Sequence, residues 1–214
     1  MIPELNHQAA PSQPRRCRRI TAGKLTGQKP ALKMKEVWAI RIRLQLSRKI
    51  RELALFNLAI DSKLRGCDLV CLRVKDVVAT GEVRSRAIVV QKKTGRPVQF
   101  EITEQTRIAI AKLVQKYELT GPDFLFQSRF ASSPRLSTRQ YARLVQGWVR
   151  SVGLNPATYG THSLRRTKAA LIYRKTGNLR AVQILLGHTK LESTVRYLGV
   201  EVDDALAISE QVDL

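Results

Sequence analysis

The stretch THSLRRTKAALIYRKTGNLRAVQILLGHTKLESTVRYLG, residues 161–199, decides how this chain folds. Thr161 is a good N-cap residue and Gly177 a good residue just past a helix end, so the pattern predicts a helix over 163–176. A second helix follows over 179–186 and stops at Gly187, and a third short one carries Tyr197. His162 and Arg165 stand three apart at the front of the first helix, so they share a face. At that end, unpaired N–H groups and the helix dipole favour an anion. His188 comes directly after Gly187, and Tyr197 follows nine residues later. Two of the chain's three histidines therefore bracket one helix pair.

Upstream, residues 31–72 read as helical, with Val37, Ile40, Leu44, Ile50, Leu53 and Leu55 among the repeating apolar positions and a break near Asp61, Ser62 and Lys63. Between residues 83 and 103 the period drops to two. RSRAIVVQ and PVQFEI are β-rich runs joined by KKTGR, a turn with Gly95 at its tip. Val98, Phe100 and Ile102 alternate, which buries one face of the sheet. Helical patterns return over 106–117 and 138–152. The expectation is an α+β chain, mainly α-helical, with one small antiparallel sheet.

The two ends differ from this body. Residues 1–30 contain several prolines, a run of arginines and no sustained apolar period, so they are expected to be a basic, disordered tail. Residues 1–50 hold twelve basic and two acidic side chains. Residues 201–214 are acidic, with Glu201, Asp203, Asp204, Glu210 and Asp213 and no Lys or Arg. Their apolar stripe suits docking on a neighbouring protomer or packing in cis.

Over the whole chain, 38 Lys and Arg face 17 Asp and Glu, a formal net charge of +21. A surface that cationic calls for a polyanionic partner. No run of 18 apolar residues spans a bilayer and no secretory leader opens the chain, which turns the expectation from membranes to nucleic acid. The three cysteines, Cys17, Cys67 and Cys71, are odd in number and have no metal-ligand spacing. That suits a reducing, cytoplasmic compartment.

THSLRRTKAAL, ILLGHTKLESTVRYLG and LRGCDLVCLRVKDV together resemble the catalytic domain of tyrosine site-specific recombinases, the phage integrase family. His162, Arg165, His188 and Tyr197 match that family's motif in type and spacing. Arg65 matches its first arginine and Asp68 the acidic residue that follows. Lys93 in KKTGR is the better match to its hairpin lysine, with Lys92 the fallback. The resemblance covers residues 31–200 and implies a helical catalytic domain with a small three-stranded antiparallel sheet. The family's usual glycine two residues before the first arginine is replaced here by Lys63, from which a small local adjustment is expected.

Phosphodiester cleavage needs a nucleophile, charge on the non-bridging oxygens, and a proton for the leaving oxygen. A phenol of pKa about 10 must be activated by a base and nearby cations. Arg65 and Arg165 offer planar forks to phosphoryl oxygens, and His188 can donate to the same group. The resemblance, not the spacing, assigns Lys93 as general acid, His162 as proton acceptor and Tyr197 as nucleophile. It implies a 3′-phosphotyrosyl intermediate in duplex DNA with no metal, ATP or other cofactor. Lys92, Arg96, Arg166 and Lys168 are expected at the DNA backbone. The expected partners are a double-stranded recombination site, a homotetramer in synapsis formed from free monomers, and DNA-bending accessory proteins. Most family members carry a clamping domain ahead of the catalytic one, and only about thirty residues precede it here. A silent or truncated DNA-binding remnant is therefore the alternative, and a type IB topoisomerase-like enzyme a more distant one.

Overall fold

The computed structural model describes residues 28–129 and 133–199. The expected basic tail (up to residue 27) and the acidic segment 201–214 lie outside the described residues.

Helix α2 (Ile50–Ser62) is the axis of the fold. Every residue from Ala54 to Ser62 is buried, so this helix is enclosed on all sides rather than amphipathic. Helices α1 (Met34–Leu46), α5 (Glu104–Lys116) and α7 (Thr161–Thr176) pack against it. Between α1 and α2 the chain turns at Arg48, which takes a positive φ of 50°, a break the apolar pattern does not announce. Helix α6 (Thr138–Ser151) contributes Tyr141, Val145, Trp148 and Val149 to the main core, with its N-terminus capped by the Ser137 hydroxyl. Two single-turn helices, α3 (Gly66–Leu69) and α4 (Val74–Val77), follow α2.

The expected single three-stranded sheet is replaced, among the described residues, by two two-stranded hairpins. Strands β1 (Val78–Ala79) and β2 (Glu82–Val83) close on the two-residue turn Thr80-Gly81, whose φ values of 49° and 82° are those of a type I′ turn. Strands β3 (Arg86–Val90) and β4 (Pro97–Glu101) pair antiparallel, Arg86 opposite Glu101 and Val90 opposite Pro97. Each hairpin closes on its own turn, and no ladder joins β2 to β3 among the described residues.

The helix boundaries in the decisive stretch follow the sequence with one shift. Helix α7 starts at Thr161 itself, and Gly160 is the cap, its N–H donating to the Ser163 hydroxyl at 3.1 Å. It ends at Gly177, left-handed at φ 63°. Helices α8 (Leu179–Leu186) and α9 (Leu191–Leu198) fold back on α7 around a second, smaller apolar cluster of Ala169, Val182 and Leu186. The Tyr197 ring packs against that cluster.

Where α2, β4 and α7 meet, a buried charge cluster fixes their relative position. Asp61 accepts from the Thr103 N–H and hydroxyl, the Thr106 hydroxyl and Lys168 Nζ, all between 2.6 and 3.0 Å. Lys168 also pairs with Glu101 at 2.6 Å, and the fully buried Lys63 ammonium bonds Glu101 and the Asp61 carbonyl. Lys63 takes the left-handed conformation (φ 54°) that a glycine would adopt freely. Burial pushes the Asp61 carboxyl up, but hydrogen bonds from Lys168 and Thr106 and the Lys168 charge outweigh it and hold the group below the usual range.

Asp61→Ala leaves Lys168 short of a partner and three donors unmade, and is expected to cost about 3–5 kcal/mol in urea unfolding. A group with a depressed folded pKa stabilises the fold above its unfolded value of about 3.9. That stability is lost as pH falls further, so the wild-type advantage over Asp61→Ala shrinks in acid.

Candidate active site

Five elements, α3, the β3–β4 turn, α7, α8 and α9, bring the expected residues to one place. Arg65 is the N-cap residue of α3, extended and half-buried. Its Nη1 donates to Gln91 Oε1 at 2.5 Å. Asp68 lies one turn on, and its Oδ1 accepts from the Lys92 backbone N–H at 2.9 Å. Asp68 therefore holds the hairpin turn in place, and no ion pair joins it to Arg65 among the described residues.

The β3–β4 turn is closed by Gln91, whose N–H donates to the Arg96 carbonyl and whose carbonyl accepts from Thr94 and Gly95. Gly95 is left-handed at φ 64°. Lys92, Lys93 and Arg96 are exposed on this tip. The Lys93 charge reaches His162, where it is one of the cations lowering the imidazole pKa.

On α7, His162 occupies the first turn and Arg165 lies one turn deeper, 3% exposed. Arg165 Nη2 donates to the Leu186 carbonyl at 2.8 Å, at the last turn of α8. Gly187 then turns the chain left-handed, at φ 65°, into His188. A Cβ at residue 187 would sit 2.5 Å from Val98 Cγ2, so the close approach of α8 to β4 requires glycine. His188 Nδ1 lies 3.1 Å from the buried Thr194 hydroxyl of α9, which fixes the ring and leaves Nε2 facing outward from that contact.

Tyr197 stands one turn beyond Thr194 on the same face of α9. Its hydroxyl lies 3.5 Å from the His162 carbonyl. The His188 ring meets the Tyr197 ring edge to face, centroids 5.4 Å apart. The Arg165 and Arg166 guanidiniums lie 5.5 and 4.8 Å from the ring centroid. The structure thus draws Arg65, His162, Arg165, His188 and Tyr197 together, with Lys93 close enough to act on His162.

Two of the residues expected at the DNA backbone are placed otherwise. Lys168 pairs with Asp61 and Glu101 inside the charge cluster. Arg166 is 8% exposed and donates to the Lys29 carbonyl and to Gln28 Oε1, both at 2.6 Å, which pins the start of the described chain against α7. Gln28 in turn donates to the Arg196 carbonyl on α9. Both lysine and arginine looked like exposed helix charge because their partners are far away in sequence.

The electrostatics of this cluster are those of an anion site. Burial, then Arg165 and Arg65, push His188 down to about 4. Burial and the cations Arg165, Arg166, Arg65 and Lys93 also lower His162. Both imidazoles are neutral at pH 7. Burial raises the Tyr197 phenol and outweighs the nearby arginines, so it stays protonated. Burial also lowers Arg165, assisted by Arg65 and opposed by Tyr197 and Asp68. The Nε groups of Arg165 and Arg166 are buried without a partner among the described residues. A phosphate diester brought to this point would meet two guanidinium groups, a neutral imidazole donor and a phenol. Among the described residues no group of three His, Cys, Asp or Glu could hold a metal ion.

Gln91 and Thr194 take part in this geometry and did not stand out in the sequence. One signal was present for Gln91. It ends a strand on the inward parity of Ala87 and Val89, where a buried polar residue needs a reason.

The sequence profile of the phage integrase family matches residues 32–203, and this chain belongs to that family. It is 28% identical over 162 residues to the Bacillus subtilis protein named "Probable integrase/recombinase YoeC", covering 76% of this chain and 84% of that one. It is 30% identical over 165 residues to the tyrosine recombinase XerD of Rickettsia conorii, covering 72% of this chain and 53% of the relative. The chain thus spans about half the length of that Xer recombinase. Its fold is shared with the XerA recombinase at a TM-score of 0.70 and 22% identity, over 86% of this chain and 65% of that one. It is also shared with XerH bound to its difH substrate, at a TM-score of 0.66 and 20% identity, over 85% and 54%.

Proposed function

We propose that this chain is a site-specific DNA recombinase that cuts and rejoins duplex DNA through a 3′-phosphotyrosyl intermediate. The observation that carries the reading is Tyr197 standing against both His188 and Arg165, with its hydroxyl 3.5 Å from the His162 carbonyl. The family membership, the +21 charge and the recombinase relatives support it. Arg65 and Arg165 hold the non-bridging oxygens of the scissile phosphate, and His188 donates to them from Nε2. Tyr197 Oη forms a bond to phosphorus as its proton passes to His162. The bond from phosphorus to the 5′-oxygen breaks, and Lys93 supplies the proton of the new 5′-hydroxyl. A 5′-hydroxyl then attacks the phosphotyrosyl bond and the proton movements reverse. One ester replaces another, so the cycle needs no external energy source.

Lys92 and Arg96 on the hairpin tip, and the basic tail, follow the flanking phosphates in this reading. The protein works in the cytoplasm on a double-stranded site. Monomers assemble there as a tetramer aided by DNA-bending proteins, with residues 201–214 packing between protomers. Among the described residues no helix is long and apolar enough to cross a membrane.

The test is a nicked duplex carrying a site selected by binding from a random library, so that the cut strand diffuses away and traps the intermediate. A protein–DNA adduct stable in detergent is expected. Binding without an adduct would leave a DNA-binding protein without cleavage. Relaxation of plasmids that lack the selected site would point to a topoisomerase.

The rate of adduct formation carries a second expectation. His162 accepts a proton only when neutral, and its pKa is lowered by burial and four cations. The acid limb therefore falls below the ordinary histidine value of about 6.5, and the rate is flat from there to pH 8. An acid limb centred above pH 7 would contradict His162 as the acceptor.

A further inference from the structure

We propose that Gln91 is the positioning residue that sets the two arginines of the phosphate site, tying the β3–β4 hairpin, Arg65 and the end of α8 into one unit. This rests on the reading that Arg65 and Arg165 meet a phosphate.

The side chain is completely buried and its amide is used at both ends. Oε1 accepts from Arg65 Nη1 at 2.5 Å and from the Thr94 hydroxyl at 3.0 Å. Nε2 donates to the Leu186 carbonyl at 3.2 Å, the same oxygen that receives Arg165 Nη2. One amide therefore orients the first arginine directly and shares an anchor with the second. Its own backbone N–H and carbonyl close the turn that carries Lys93.

The chemistry selects an amide here. A carboxylate could accept from Arg65 but would neutralise the charge meant for phosphate, and it could not donate to Leu186. A lysine or arginine could donate but not accept. A neutral acceptor orients a guanidinium and leaves its charge in place. Gly187 belongs to the same arrangement, since a Cβ there would lie 3.1 Å from Gln91 Nε2.

The test compares wild type with Gln91→Leu and Gln91→Glu on the nicked duplex, measuring single-turnover cleavage, DNA affinity and amide exchange. Gln91→Leu is expected to bind DNA within about threefold of wild type and to cleave about 100-fold more slowly, the effect of misplacing a group by about 1 Å. In an Arg65→Ala background the same change should cost clearly less, because the Arg65 contact is already gone and only the Leu186 and Thr94 contacts remain to be lost. Gln91→Glu keeps the length and the Arg65 contact, so it decides the matter if the leucine variant does not fold. It is expected to bind and to cleave at least about 30-fold more slowly, its carboxylate competing with phosphate for Arg65. Exchange of the Gly187 and His188 amides should quicken in Gln91→Leu, or in Gln91→Glu if the leucine variant does not fold, whether or not any DNA is cut.

Faster exchange with no adduct even from wild type would remove the recombinase reading and keep the tie. A folded variant with wild-type cleavage and exchange would overturn the proposal. So would an equal penalty with and without Arg65.

Discussion

Tyr197→Phe is expected to abolish the covalent adduct and to lower strand cleavage by on the order of 10⁴–10⁶-fold, the scale of losing a nucleophile outright. The variant should remain folded and bind DNA as before. The phenol ring lies against the cluster of Ala169, Val182 and Leu186, and phenylalanine fills that space without change. The two guanidiniums and the His188 ring lie against the phenol ring, so those contacts also persist. The hydroxyl loses a 3.5 Å contact with the His162 carbonyl and its hydrogen bond with Arg166, whose guanidinium keeps Lys29 and Gln28 as partners. Denaturing gels on the nicked duplex measure the adduct, and retarded migration measures binding. An undiminished adduct in the variant would place the nucleophile elsewhere.

Arg165→Met is expected to reduce cleavage by about 10²–10³-fold while leaving the fold as stable or more so. Arg165 is 3% exposed, and its charge is disfavoured by burial and by Arg65. Tyr197 and Asp68 oppose that without reversing it. Keeping a cation in such a place costs stability, and methionine of similar length relieves the cost. The Leu186 carbonyl loses one donor and keeps the Gln91 amide. Thermal unfolding and single-turnover cleavage on the same preparation separate the two effects. A loss of more than about 2 kcal/mol in stability would show that Arg165 is a structural strut. The expected outcome marks it as a group held in place for a ligand.

The sequence made legible what depends on short spacings. His162 and Arg165, three apart, define a helix face, and Gly187 stops a helix where the chain turns to His188. Helix α8 lies where the apolar pattern ended it. The hairpin turning at Thr80-Gly81 escaped the sequence reading, because two residue pairs are too few to give a strand period. That is why one sheet was expected and two hairpins form.

Pairings across long sequence distances were not readable. Lys168 meets Asp61, 107 residues away, and Arg166 meets Gln28, 138 residues away. A local reading gives both to solvent or DNA. Lys63 in place of the family's glycine was visible as a departure. What tolerates it, a buried ion pair to Glu101 offsetting a left-handed backbone, is a property of the packed core.

Peptide mapping of the trapped adduct by mass spectrometry tests the central claim most directly. One modified peptide is expected, with the DNA 3′-phosphate esterified to the Tyr197 phenol and a free 5′-hydroxyl on the released strand. A linkage to any other residue, or to a 5′-phosphate, would contradict it.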